Sequence, residues 1–192
     1  MPEQSDAAGA PSADRVDDFI GPGYVGREKA TAVVSAFPQA PDRILDWLRA
    51  SAESGDWRRF ERFAGVAVHV ARPGELAGIL LSALTSGTKA GDTGRGPNEE
   101  DLVDMLGEIH SPEAVDALGS LLRERQESDA PYFPLCVKCI ESLAEIDTPE
   151  AKEILREVAT GAWPKPLQWH AAAELGIDEE LGYDEDAMLG GA

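Results

Sequence analysis

The fold of this 192-residue chain is decided by Ile109-His110-Ser111-Pro112-Glu113-Ala114 and its copy 37 residues later, Ile146-Asp147-Thr148-Pro149-Glu150-Ala151. In each copy a Ser or Thr hydroxyl is placed to cap a helix, and Pro occupies the first helical position. The Glu that follows suits the positive end of the helix. Each copy therefore predicts the end of one helix, a tight corner and the start of the next helix.

Weaker copies of this corner occur upstream, and the corner prolines are spaced by 32, 39 and 37 residues: Pro41, Pro73, Pro112 and Pro149. The sixth residue after each is apolar: Trp47, Ile79, Leu118 and Leu155. Apolar residues at helical spacing predict a second helix before each later corner: Phe63, Val66, Ala67 and Val70, then Leu102, Met105, Leu106 and Ile109, then Cys139, Leu143 and Ile146. A last helix is predicted over about 167–176, and strands are not indicated.

This pattern resembles the HEAT-like repeats, especially the short form of bilin-lyase-type proteins, over about residues 24–177 and best over 102–158. The resemblance implies an all-α fold, a right-handed α-solenoid of about four antiparallel helix pairs. It also implies that the helices preceding the corners line a concave binding surface. Helices at about 24–37 and 161–176 would cap the two ends, and an irregular helical bundle is the alternative.

The chain is acidic, with 36 acidic and 17 basic residues and a net charge of -19. We expect disordered acidic tails at 1–18 and 178–192, which leaves 25 acidic and 16 basic residues in a repeat domain over 19–177. This charge argues against nucleic-acid and anionic-membrane partners.

Because no secretion signal or membrane span is apparent, we expect a cytoplasmic protein. Its Arg-rich, Ala-rich composition hints at a bacterial source.

Alignment of the repeats on their corner prolines places residues outside the core in three columns on one helix face. The columns are Arg62, Asp101 and Lys138; Gly65, Asp104 and Glu141; and His69, Glu108 and Glu145. The predicted partner-binding residues are Asp101, Asp104, Glu108, Lys138, Glu141, Glu145, Arg59 and Arg62. Clustered carboxylates favour a partner with a basic protein surface.

The glycine-rich segment 85–98 lacks the spacing of a phosphate-binding loop and is predicted to be a mobile connection. Its Lys89 and Arg95 are candidate contacts to a partner. Cys136 and Cys139 have the spacing of half a zinc site, but no second cysteine pair completes it. We therefore expect core cysteines and neither a metal nor a cofactor.

The segment 56–63 alternates bases with aromatics, as in HEAT-like DNA glycosylases, but three arginines supply too few phosphate contacts. Phe60 and Phe63 are instead expected in the core. Two tryptophans, Trp163 and Trp169, fit either an interaction site or a terminal cap.

These observations predict a non-enzymatic module for protein–protein binding, either an adaptor or an acidic inhibitor similar to immunity proteins. Alternatives are a HEAT-like enzyme, of the chromophore-lyase or DNA-glycosylase type, and a DNA-mimic protein. No catalytic constellation is recognisable in the sequence.

Overall fold

The computed structural model describes residues 11–87 and 96–183. Within these ranges every regular element is a helix, which confirms the predicted all-α class. The chain divides into two compact units, Met1–Arg72 and Pro73–Ala192. None of the helices in the described ranges has the length and apolar character that crossing a membrane requires.

The first unit contains four helices: α1 (Ala13–Ile20), α2 (Arg27–Ala36), α3 (Ile44–Ser54) and α4 (Trp57–Val70). Helix α4 packs against the other three, and its Phe60 and Phe63 are fully buried, as predicted. The ring of Trp47 lies 5.7 Å from that of Phe63 and joins α3 to this core. The apolar face of α4 is thus the centre of the first unit.

Helix α1 corrects the prediction of a disordered tail over residues 1–18. Ser12 caps it by accepting a hydrogen bond from the Arg15 backbone N–H at 3.4 Å. Val16 and Ile20, four residues apart and therefore on one face, are buried. Residues 13–18 are helical because they have an apolar stripe to bury, whereas residues 1–10 lie outside the described part of the chain.

The second unit contains α5 (Pro73–Gly87), α6 (Glu99–Glu108), a 3₁₀ turn (Pro112–Ala114), α7 (Val115–Arg125), α8 (Pro134–Ile146), α9 (Pro149–Thr160) and α10 (Lys165–Leu175). Helix α8 packs against α6 on one side and α10 on the other. Helices α7 and α9 contact each other and also contact α8. Helices α6, α8 and α10 are thus linked in series through α8, and we call these three helices the row.

The end of this unit also differs from the predicted tail over 178–192. Residues 178–182 form turns, and the hydroxyl of the following Tyr183 donates a hydrogen bond to Gln168 Oε1 at 3.1 Å. The Lys165 ammonium lies 5.8 Å from the centre of the Tyr183 ring. These contacts hold the segment against α10, and residues 184–192 lie outside the described part.

The two strongest corner motifs share a positive-φ residue, but the first leads into the 3₁₀ turn and the second directly into α9. His110 and Asp147, at equivalent positions, both adopt positive φ, at 48° and 58°. Thr148 then caps α9 as predicted, by accepting from the Ala151 N–H at 3.1 Å. Ser111 does not cap a helix, because its hydroxyl donates to the Glu113 carboxylate at 2.7 Å.

The contact between α6 and α8 is very close because small residues face each other there. The buried Ser142 hydroxyl donates to the Val103 carbonyl oxygen at 2.9 Å. A Cβ atom on Gly107 would lie 2.9 Å from Ser142 Cα, a distance that real Cβ atoms essentially never show. Glycine at position 107 therefore sets how near the two helices come.

We expect Gly107→Ala to lower the free energy of unfolding by about 1–3 kcal/mol, because the new methyl group forces α6 and α8 apart. Urea denaturation followed by circular dichroism measures this change. Gly78→Ala is the matched control, since Gly78 is exposed on α5 and has open space around its Cβ position.

The control substitution should stabilise the chain by about 0.5–1 kcal/mol, the usual gain of alanine over glycine inside a helix. A Gly107→Ala chain as stable as the wild type would show that the two helices are not held at this distance.

Candidate functional site

The row of helices α6, α8 and α10 carries the candidate site on the side of each helix that points away from the core. On α8, Cys139 and Leu143 are fully buried, so Glu141 and Glu145 face outward between the core positions. We call the outward carboxylates of this row the acidic face: Asp104 and Glu108 on α6, Glu141 and Glu145 on α8, and Glu174 on α10.

Lys138 is the cation set into the acidic face. Its Nζ lies 3.2 Å from Asp104 Oδ1 on the neighbouring helix and 3.2 Å from Glu141 Oε2 on its own helix. All three side chains are 37–47% exposed. One ammonium group therefore joins the carboxylates of two helices at a solvent-accessible position.

Glu145 experiences the combined charge of this face. Loss of solvent around its carboxylate is the largest influence and raises its pKa above the ordinary 4.5. Repulsion from Asp104, Glu108 and Glu141 raises this pKa further, although nearby His110 opposes it. The carboxylates of α6 and α8 are thus close enough to interact.

Helix α10 extends the acidic face, which the sequence alignment did not foresee. Desolvation, followed by repulsion from Glu141, raises the pKa of Glu174. Desolvation also lowers the pKa of His170, with Glu141 acting in the opposite direction. Because α10 has no corner proline after it, the alignment ended at α8. The apolar spacing of Leu167 and Ala171 was the signal available.

The predicted columns are reproduced only in part. Lys138 was aligned with Asp101 but contacts Asp104, one turn further along α6. Asp101 is exposed in the first turn of α6. For the column of Glu108 and Glu145, the charge of Glu108 is among those that raise the pKa of Glu145.

Arg59 and Arg62 have a different role from the predicted one, because both bind α1 within the first unit. Arg62 donates from Nε and Nη2 to the two carboxylate oxygens of Asp17, at 2.6 and 2.8 Å. Arg59 donates from Nη2 to Asp14. Their neighbour Gly65 is buried against Val25. This part of α4 is therefore covered rather than open to a partner, and the two arginines are not part of the acidic face.

The remaining predicted positions fall outside the site. Lys89 and Arg95 lie outside the described residues. Cys136 and Cys139 are fully buried, which confirms their assignment to the core. Burial, followed by the influence of Asp129, raises the pKa of the Cys136 thiol to about 12, and thiols in this state are poor nucleophiles. In residues 11–87 and 96–183 no three His, Cys, Asp or Glu side chains are grouped so that they could hold a metal ion.

A polar pocket of about 490 Å³ lies elsewhere in the second unit, beside the start of α6. Arg125 and Glu99, which line it, form an ion pair of 2.7 Å, and Asp129 accepts the Cys136 backbone N–H at 2.8 Å. These groups are engaged in linking α6, α7 and α8, so we assign this pocket a structural role.

The pKa of Glu145 leads to a prediction for the stability of the chain. A carboxyl group whose pKa is raised in the folded state costs stability as the pH rises through its unfolded-state pKa, and the cost is complete above the folded-state pKa. Glu145→Gln should therefore stabilise the chain at pH 7 by about 0.5 kcal/mol, the scale of exposed charge interactions. The gain should disappear below about pH 4, where Glu145 is protonated in both states. Urea midpoints measured from pH 3.5 to 7.5 check this.

Glu124→Gln removes an exposed carboxylate from α7 and is the control for loss of one negative charge. It should not reproduce the pH-dependent gain. Equal effects of the two substitutions at every pH would contradict the special environment of Glu145.

The site is thus an exposed carboxylate surface on three adjacent helices, with Lys138 bound inside it. No family model, curated protein or solved structure matches this chain. The case for a function therefore depends on the chain's own residues.

Proposed function

We propose that this protein is a non-enzymatic HEAT-like repeat module that binds a basic protein through the acidic face. It would act as an adaptor or as an inhibitor of that partner. The observation that carries the proposal is the way Lys138 is held, because it is an example within the chain of a cation bound by carboxylates of two helices of this face.

The packing of the second unit supports a short α-solenoid. Helices α6, α8 and α10 follow one another in the row, and α7 and α9 also contact α8. The corner at His110 and the corner at Asp147 repeat the same positive-φ exit from a helix. Repetition of both the corner and the helix row is what a HEAT-like array requires, and such arrays use extended surfaces for binding.

Lys138 gives the geometry for recognition of a partner. Its ammonium reaches one carboxylate on each of two helices at 3.2 Å. A basic partner surface laid across the face would bring lysine or arginine side chains to carboxylates on adjacent helices, such as Glu145 on α8 and Glu174 on α10. Arginine is especially suited, because its planar group can form two parallel hydrogen bonds with one carboxylate.

The electrostatics of the face favour such binding. Mutual repulsion contributes to the raised pKa of Glu145 and of Glu174, so the free protein carries unfavourable charge interactions there. A bound cation is attracted by each of these carboxylates, and that attraction offsets their mutual repulsion. Charged surfaces of opposite sign also accelerate encounter, with a strong dependence on salt.

The test is reversal of the face by Asp104→Lys, Glu108→Lys, Glu141→Lys and Glu145→Lys in one chain. The wild type, immobilised in native lysate, should capture a basic protein that the reversed chain loses by at least tenfold. Quantitative mass spectrometry of the captured proteins, at low and high salt, measures the loss. Circular dichroism should show that helical content is retained.

A matched control chain carries the same change in net charge at four exposed acids away from the face: Glu124, Glu127, Glu153 and Glu180. It should keep the partner, because placement rather than total charge determines binding. If the face-reversed chain captures the same basic protein as well as the wild type does, the proposed function is wrong.

A further inference from the structure

Helix α1 is held on α4 by a matched set of charges. Asp14 and Asp17 are three residues apart on α1, and Arg59 and Arg62 are three residues apart on α4. Residues at this spacing share one helix face, so two acids meet two bases in register. The bidentate pair of Arg62 with Asp17, at 2.6 and 2.8 Å, is the most specific of these contacts.

Apart from these ion pairs, α1 contributes little to the core of the first unit. It has eight residues, and its buried apolar side chains are Val16 and Ile20. Phe19 remains 49% exposed, although its ring packs at a right angle to that of Phe37, with 5.4 Å between the ring centres. Docking of this short helix therefore combines the burial of two aliphatic side chains with a set of charge contacts that selects the α4 face.

The connection from α1 to α2 has the properties of a hinge. Gly21 and Gly23 adopt φ values of 65° and 93°, and neither would bring a Cβ within 4 Å of any neighbouring atom. Tyr24, which follows them, is 86% exposed. The connecting residues 21–26 are thus joined to the core mainly at their end, where Val25 is buried.

The packing of α1 on α4 of its own chain also leaves one polar atom without a hydrogen bond. Arg59 Nε is buried and has no hydrogen-bond partner among the described residues, although it lies 3.4 Å from Asp17 Oδ2. Within one chain the charge pairing between α1 and α4 is therefore incomplete at this atom.

We propose that α1 is exchangeable: the face of α4 that carries Arg59 and Arg62 accepts α1 from a second copy of this chain, which gives a reciprocal dimer. The second copy is the occupant because α1 already supplies the complementary acids at the required spacing. Exchange re-forms every α1–α4 contact between chains, so little is lost when the hinge opens. Six connecting residues span up to about 20 Å when extended, enough to reach a neighbouring molecule.

Two full-length variants test the exchange. The acid-reversed chain carries Asp14→Arg and Asp17→Arg, and the base-reversed chain carries Arg59→Asp and Arg62→Asp. Each chain alone brings like charges together between its own α1 and α4. In an equal mixture, each α1 has an opposite-charge α4 on the other chain, so both contacts are restored only by exchange.

We expect the mixture to form a 1:1 dimer of twice the 20.5 kDa chain mass. The dimer fraction should be at least tenfold above that of either variant alone, as measured by size-exclusion chromatography with light scattering. High salt should reduce it. The chain with all four substitutions is the control, because it restores the contact internally and should match the wild type in mass and helical content.

A mixture that keeps the mass of single chains, with helical content equal to that of the control, would overturn the proposal.

If either variant loses helical content, a peptide-binding experiment with milder substitutions answers the same question. The full-length chain then carries Asp14→Asn and Asp17→Asn, and a labelled peptide of residues 11–22 is added to it. The wild-type peptide should bind this chain at least tenfold more tightly than a peptide carrying Asp17→Asn does. Equal binding of the two peptides also overturns the exchange. These tests involve only the first unit, so their outcome is independent of the acidic face.

Discussion

The close packing of α6 on α8 is the contact on which the candidate site depends. Gly107 and Ser142 are both buried, and the Ser142 hydroxyl bonds to the Val103 carbonyl oxygen across the helix pair. A larger side chain at either position would increase the separation of the helices. The same small separation brings Asp104 within reach of Lys138 and places Glu145 among the carboxylates of α6. Core packing and surface charge are therefore coupled in this unit.

This coupling has a cost in stability that a function would explain. Desolvation is the largest cause of the raised pKa values of Glu145 and Glu174, and repulsion from carboxylates on the adjacent helices raises them further. Lys138 compensates part of the negative charge, but its single positive charge is shared between the carboxylates of Asp104 and Glu141. A cationic partner would offset the unfavourable charge interactions that this surface retains in the free protein. The covered arginines of α4 show the reverse case, in which complementary charges are already paired within the chain.

Much of the second unit was predictable from the repeated corner, because a capping hydroxyl, a proline and an apolar spacing are local signals. They located the start of α9 at Pro149, the helix α10 and the buried cysteines. Helix α1 was not predicted, since its three aspartates looked like part of an acidic tail. The arginines that neutralise them lie 45 residues away in sequence, and no local pattern shows that pairing. For the same reason Arg59 and Arg62 were assigned to a binding face, and Glu174 was overlooked where the corner motif stops.

We propose that the carboxylates of α6, α8 and α10 form one interacting surface that accepts a cationic partner. Titration of the Glu145 side-chain carboxyl by carbon-13 NMR, with and without a decalysine peptide, tests this proposal. We expect a Glu145 pKa above the ordinary value in the free protein and a clear decrease when the peptide is bound. An ordinary pKa in the free protein, or a raised pKa that the peptide leaves unchanged, would contradict it.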